Sequence, residues 1–334
     1  MSELKLKQVT NCVLVKGIMR STLCDLQRGK LKLIPNDMYD MLKSCAGQTK
    51  DEIYEKYSDY VEILEEYIDF LESNEFIFWT DEPSSYPEIS FEVEEFAEVN
   101  NAIIDVSSTS ILDYPSIINE LSSLGCQSIQ IRSFDDLVNL KWITEKLLEK
   151  TLDSRIRNIE IICKHHDEDN EYLVSMLSSH LRVNLVVLHS SLKGIDVESK
   201  HATVLITTDK INDASHCGFV DPSYFSINAN FYSESLKYNT CLYKKVSIDS
   251  DGNIKNCPAL LESFGHISVD SIREVIQSSN FKRIGKISKD QISICKVCEF
   301  RHVCPDCRAH LGKEELFSKP RKCAYDPYTA KWHN

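Results

Sequence analysis

The chain of 334 residues has no run of about 18 apolar residues, so no segment predicts a membrane span. Its start, Met1 to Thr10, is charged and lacks the apolar core of a secretory signal. Cations are in the minority: 38 Lys and Arg stand against 51 Asp and Glu, for a formal charge of −13. A general nucleic-acid binder needs a basic face, so that class is excluded. No Ser-His-Asp order, no nucleophile elbow and no glycine-rich phosphate loop occurs. There is no internal repeat and no low-complexity tract.

Cysteine, by contrast, is abundant, with thirteen residues. The chain is too long for the small disulfide-stapled class, and without a signal segment it reads as a cytoplasmic protein in a reducing compartment. Clustered cysteines there point to metal or iron–sulfur ligation. Cys295, Cys298, Cys304 and Cys307 form a Cys-x2-Cys-x5-Cys-x2-Cys run, and Cys241, Cys257 and Cys323 flank it. A two-residue gap lets two sulfurs turn back on one ion or cluster. Cys241 and Cys257 fit Cys-x10-Gly-x4-Cys, in which Gly252 supplies the positive φ of a hairpin turn. Cys12, Cys24, Cys45, Cys126 and Cys163 are scattered and read as small buried hydrophobes. Cys217, between His216 and Gly218, stays open as a further ligand.

The pattern divides the chain into residues 1–82, a linker at 83–99, an α/β segment at 100–215 and a cysteine-rich end at 216–334. In the first part, Asn11–Gly17, Ser21–Leu26 and Lys30–Ile34 predict strands. Three short helices and a closing strand at Phe76–Trp79 follow, a winged-helix-like order. Thr49 and Glu52 form a capping box ahead of the second helix, and the third carries an apolar stripe of Val61, Leu64, Ile68 and Leu71 widened by Ile63 and Phe70. From 100 to 215, strand and helix alternate, with helices at 114–124, 135–150 and 171–180; this predicts parallel strands and a partial (β/α) barrel. The end holds a hairpin turning at Gly252 and a helix over 269–278.

Two resemblances follow from these residues. The stretch MLKSCAGQTKDEIYEKYSDYVEILEEYIDFLESNEFIFW resembles the PqqD-like element by which ribosomal peptide maturation systems recognise a leader peptide. The cysteine pattern, with the joining segment ESFGHISVDSIREVIQSSNFKRI, resembles the SPASM domain of radical-SAM peptide-modifying enzymes. That family usually ends its run with Cys-x3-Cys, whereas two residues separate Cys304 from Cys307 here. The second resemblance implies two [4Fe–4S] clusters: one on Cys241, Cys257 and Cys307, with Cys217 as the candidate fourth ligand, the other on Cys295, Cys298, Cys304 and Cys323. Zinc is the alternative, since four-thiolate zinc sites use the same Cys-x2-Cys pairs.

The Cys-x3-Cys-x2-Cys loop that holds the SAM-cleaving cluster of those enzymes occurs nowhere in the chain. After the first barrel strand the sequence reads Val106-Ser107-Ser108-Thr109-Ser110-Ile111, and after the second Ile131-Arg132-Ser133-Phe134-Asp135 stands where a Gly-Gly-Glu motif is expected. The middle segment therefore resembles a degenerate radical-SAM barrel, with no SAM expected. As a whole the chain resembles the SPASM-domain maturase of grasp-with-spasm systems. The resemblance implies a ribosomal precursor peptide and an ATP-grasp ligase as partners, and no nucleic acid or membrane. The alternatives are an independent redox enzyme acting on peptides and a zinc-stapled adaptor. The tract Cys163–Asp169, His189 and His216 read as solvated or strand-end groups.

Overall fold

The computed structural model describes residues 3–92, 96–197, 199–312 and 315–333. Residues 93–95 of the expected linker lie outside the described residues. The chain divides into two compact units, one of residues 1–93, 219–240 and 287–334, the other of 94–218 and 241–286.

In the first unit, β1 (Lys5–Gln8) is followed by β2 (Cys12–Lys16), β3 (Ser21–Asp25) and β4 (Lys30–Ile34), and the last three form an antiparallel meander. Then come α1 (Asn36–Cys45), α2 (Lys50–Lys56), α3 (Val61–Ser73) and β5 (Ile77–Thr80), which pairs back on β1. The expected capping box is formed: Thr49 Oγ1 accepts from Glu52 N at 3.3 Å, and Glu52 Oε2 accepts from Thr49 N at 2.7 Å. Leu64, Ile68 and Leu71 of α3 are buried against Leu6, Ile34, Met38 and Ile53. Ile63, expected in that stripe, is exposed instead.

The second unit is built on β6 (Asn101–Asp105), α4 (Tyr114–Ser123), β7 (Ser128–Arg132), α5 (Leu140–Ile143), α6 (Glu149–Thr151), β8 (Asn158–Lys164), α7 (Asp169–Ser179), β9 (Val183–His189), β10 (Ile195–Asp196) and β11 (Thr203–Ile206). A π-helical turn, Thr144–Leu148, joins α5 to α6. The neighbours β11, β9, β8, β7 and β6 run parallel, as the strand–helix alternation predicted. Alternate residues such as Ala102, Ile104, Ile129, Ile131, Ile159 and Ile161 are buried. One expected helix is shorter than its periodicity suggested. It begins at Leu140 rather than Asp135, with Asn139 as N-cap accepting from Trp142 N at 2.9 Å. Asp135 is held by hydrogen bonds from Ser107 and Ser108, which keeps the turn before the helix extended and leaves Leu137 exposed.

Downstream, α8 (Ala229–Lys237) belongs to the first unit. The strands β12 (Lys245–Ile248), β13 (Asn253–Lys255) and β14 (Gly265–His266) extend the large sheet beyond β6, with β12 parallel to β6 and the other two antiparallel. The helix expected over 269–278 is the shorter α9 (Ile272–Gln277), with Val269 exposed ahead of it, and a separate helix, α10 (Ser279–Gly285), follows. The closing pair β15 (Tyr325–Asp326) and β16 (Lys331–Trp332) returns to the first unit. The segment 216–334 is thus shared: 216–218 and 241–286 belong to the second unit, where 245–266 completes the sheet, and 219–240 and 287–334 belong with the N-terminal strands. Val13, Val15, Cys24 and Leu26 form one core with Val220, Tyr232, Phe300, Val303 and Tyr325. Gly17 permits the approach, because a Cβ there would stand 2.9 Å from Glu299 N and 2.5 Å from Arg20 O. The fold is mixed α/β, with a large, mostly parallel sheet.

Candidate metal centre

The cysteine run of the first unit is seated by buried polar groups on either side. Glu299 is fully enclosed; its carboxylate accepts from Arg20 Nε at 2.8 Å and Tyr325 OH at 2.5 Å, while its carbonyl accepts from Thr22 Oγ1 at 2.8 Å. Asp306 accepts from Arg308 at 2.6 Å and from Asn239 Nδ2 at 2.6 Å, and Arg308 also donates to the carbonyls of Leu316 and Ser318. These contacts fix the backbone before and after Cys304. Cys298 N donates to Cys295 O at 2.9 Å, closing the turn that the two-residue gap requires, and Cys323 enters through a bridge to Val220.

Cys298, Cys304 and Cys323 pack in one core, and Cys295 lies within electrostatic reach of Cys304 and Cys323. Burial pushes Cys295 up to about 12, with smaller upward contributions from Cys304 and Cys323. Burial also raises Cys298, which feels Cys304 and Cys295, and raises Cys304, which feels Cys323. Beside them Lys289, only 5% exposed, donates from Nζ to Cys304 O at 2.7 Å and Pro305 O at 2.8 Å. Burial works against its charge, yet Cys304, Asp306 and Cys295 hold its pKa above the usual lysine value. Buried thiols of this kind must shed protons to bind metal, so uptake of a metal is coupled to proton release.

The second unit holds the other set. Cys241 precedes β12 and Cys257 follows β13, so the hairpin brings the two ends back together. Gly252 has φ +91° at the turn, as the spacing predicted. Burial pushes Cys257 up to about 12, with further contributions from Cys241 and Cys217. Lys245 Nζ lies 3.7 Å from Cys241 Sγ. Burial opposes its charge, while Cys241, Cys257 and Cys217 raise its pKa. Cys217, offered by the sequence as a further ligand, therefore stands within electrostatic reach of this pair. It is exposed, and its thiol donates to Ala214 O at 3.1 Å. Cys307 is buried in the first unit. Among the described residues, no three His, Cys, Asp or Glu side chains converge at the distances of a single metal ion.

The donor chemistry fits an iron–sulfur group: several thiols, of which Cys257, Cys295, Cys304 and Cys307 are buried, with Lys245 beside Cys241 and Lys289 beside Cys304. Sequence reasoning missed Lys245 and Lys289, because nothing in a lysine's local sequence marks it as turned inward.

At the strand ends where the resembled enzymes carry their SAM-cleaving loop, hydrogen bonds among serines and carboxylates stand. The Asp135 carboxylate accepts from Ser107 Oγ at 2.8 Å, Ser108 N at 2.8 Å, Ser108 Oγ at 2.6 Å and Leu137 N at 2.9 Å. Arg132 is paired with Asp105 through two bonds of 2.7 and 2.8 Å. A cavity of about 590 Å³ opens beside this loop, lined by Thr109, Ser110, Asp113, Ser250 and His266 among others.

The scattered cysteines Cys12, Cys24, Cys45, Cys126 and Cys163 are buried, as expected of small hydrophobes. His189 is also buried, with Nδ1 3.0 Å from Ser190 Oγ. His165 sits in the loop after β8, 3.2 Å from Asn170 Oδ1. In the N-terminal segment a groove of about 430 Å³ runs between α1 and α3. Met41, Tyr57, Tyr60, Ile63, Leu64 and Tyr67 line it, with Asp37 and Asp40 on its rim.

Residues 240–299 match the model of SPASM, an iron–sulfur cluster-binding domain. The match takes in Cys241, Cys257, Cys295 and Cys298 and ends before Cys304, Cys307 and Cys323. Solved structures of SuiB from Streptococcus suis are similar to this chain: bound to S-adenosylmethionine and free, each 10% identical, and bound to the precursor peptide SuiA, 9% identical. Each covers 94% of this chain and 98% of its own, at a TM-score of 0.36. So low a score defines no fold, which rests here on the sheet described above. No curated protein matches the chain. Among the described residues, no helix is long and apolar enough to cross a membrane.

Proposed function

We propose that the chain is an iron–sulfur protein that binds a ribosomal precursor peptide and supports its modification by a partner enzyme, an ATP-grasp ligase. Cys295, Cys298, Cys304 and Cys323 hold one [4Fe–4S] cluster. Cys241 and Cys257, with Cys217 in reach and Cys307 assigned by the resemblance, serve the other. What supports this reading is the SPASM match over residues 240–299, with Lys245 beside Cys241 and buried Lys289 on the backbone of Cys304. The clusters supply redox or electrophilic chemistry when bound. The chain's own residues enclose them and hold the surrounding backbone.

The N-terminal segment supports the peptide half of the reading. Its groove is apolar and aromatic, with carboxylates on the rim. Such a surface suits an apolar side chain flanked by Lys or Arg. Fluorescence anisotropy with labelled synthetic peptides carrying an apolar anchor between lysines tests it. Binding that weakens about tenfold or more in Ile63→Asp, with iron content unchanged, is expected from loss of a central anchor. Equal affinity for wild type and Ile63→Asp would move peptide recognition off this groove.

A further inference from the structure

Among the described residues, the buried carboxylates beside the cysteine run, Glu299 and Asp306, each have an arginine partner, whereas buried Lys289 has no ion-pair partner. Arg308 is matched by Asp306 at 2.6 Å and Arg20 by Glu299 at 2.8 Å. Lys289 donates instead to the carbonyls of Cys304 and Pro305, and among the described residues it has no carboxylate as a hydrogen-bond acceptor. An ammonium enclosed in this way is expensive unless an anion balances it. Asp306 lies within electrostatic reach but is already paired with Arg308, which leaves the neighbouring sulfurs, once they are thiolates, to balance the ammonium. Four thiolates on a [4Fe–4S] core carry net negative charge, and reduction adds one more electron to it. A fixed cation at that place favours the reduced state, since net charge and hydrogen bonding around the sulfurs set the potential of such groups.

We infer that Lys289 is the built-in counter-charge of the set Cys295, Cys298, Cys304 and Cys323, and that it holds the reduction potential of the cluster there above the value the thiolates alone would give. The assignment rests on the two-cluster reading above. Lys245, 3.7 Å from Cys241 Sγ, stands beside the other set and makes the internal control. Lys289 is a tuning residue: it sits against the ligand backbone and takes no part in bond making.

The test is a dithionite titration of the anaerobically reconstituted full chain, followed by electron paramagnetic resonance, in which dithionite supplies the single electron and no bond breaks. Lys289→Met is expected to lower the midpoint of one cluster signal. A tenfold change in the reduced-to-oxidised ratio at fixed potential corresponds to about 59 mV for this one-electron couple. Lys289→Arg, which keeps the charge, is expected to restore the wild-type midpoint, and Lys245→Met to shift the other signal alone. If Lys289→Met holds no cluster at that site while Lys289→Arg does so with the wild-type midpoint, the charge requirement stands. An unshifted Lys289→Met midpoint, or Lys289→Arg failing just as Lys289→Met does, overturns the inference. Absence of iron and sulfide from the wild-type protein would instead overturn the two-cluster reading itself.

Discussion

Ser108 gives the Asp135 carboxylate two hydrogen bonds, from its backbone N–H at 2.8 Å and its hydroxyl at 2.6 Å. With Ser107 they tie the loop after β6 to the turn after β7. A SAM-cleaving centre would need thiolates and an open iron there, whereas this chain offers hydroxyls already committed to a carboxylate. The reduced, reconstituted protein is therefore expected to form no 5′-deoxyadenosine from S-adenosylmethionine. Chromatography of the reaction checks this, and catalytic amounts of product would contradict it.

The same contacts make a prediction about acid stability. Hydrogen bonds from Ser108 and the Leu137 N–H hold the Asp135 pKa well below the usual carboxylate range. A depressed folded-state pKa contributes stability that is present above the unfolded value, about 3.9, and lost as pH falls through the folded value. Asp135→Asn should therefore be less stable than wild type at pH 7, by about 1–2 kcal/mol given the partial exposure of the site. The gap should narrow as pH falls below about 4. Urea melts of both proteins at several pH values measure it, and a gap independent of pH would contradict the account.

Gly252 is the hinge of the hairpin that returns Cys257 toward Cys241. Its φ of +91° disfavours any side chain, and a Cβ would meet the His266 ring at 2.9 Å. Gly252→Ala should cost about 1–2 kcal/mol in backbone strain. It should also deplete iron from the Cys241–Cys257 site before the other one. Iron content and resonance signals after reconstitution distinguish this from a uniform loss.

Cys307 decides between two groupings of the run. If it serves the Cys241–Cys257 cluster, Cys307→Ser should lower iron by at most about half and perturb the same signal as Cys257→Ser. If Cys307→Ser instead perturbs the signal that Cys295→Ser removes, the assignment of Cys307 is wrong.

Local signals are legible in the sequence where one residue type dictates the geometry. Thr49 and Glu52 cap α2, Gly252 turns the hairpin, and the alternating apolar residues of β6 to β9 form the parallel sheet. The sequence misleads where a distant partner overrides the local pattern. The periodicity from Asp135 looked helical, but Ser107 and Ser108, some 27 positions away, hold Asp135 in a turn. β14 is two residues long and exists only through its pairing with β13, so no run of residues announced it. The cysteines were visible by their spacing, whereas Lys245 and Lys289 became visible only once burial was known. The division of 216–334 between two compact units likewise depends on long-range packing, such as Thr22 Oγ1 on Glu299 O.

The central claim is that the thiols hold two [4Fe–4S] clusters. The most direct measurement is the iron and acid-labile sulfide content of the anaerobically purified full chain, with its absorption spectrum. The account predicts about eight iron and eight sulfide per chain, with thiolate-to-iron absorption that bleaches on reduction. Stoichiometric zinc without sulfide would contradict it.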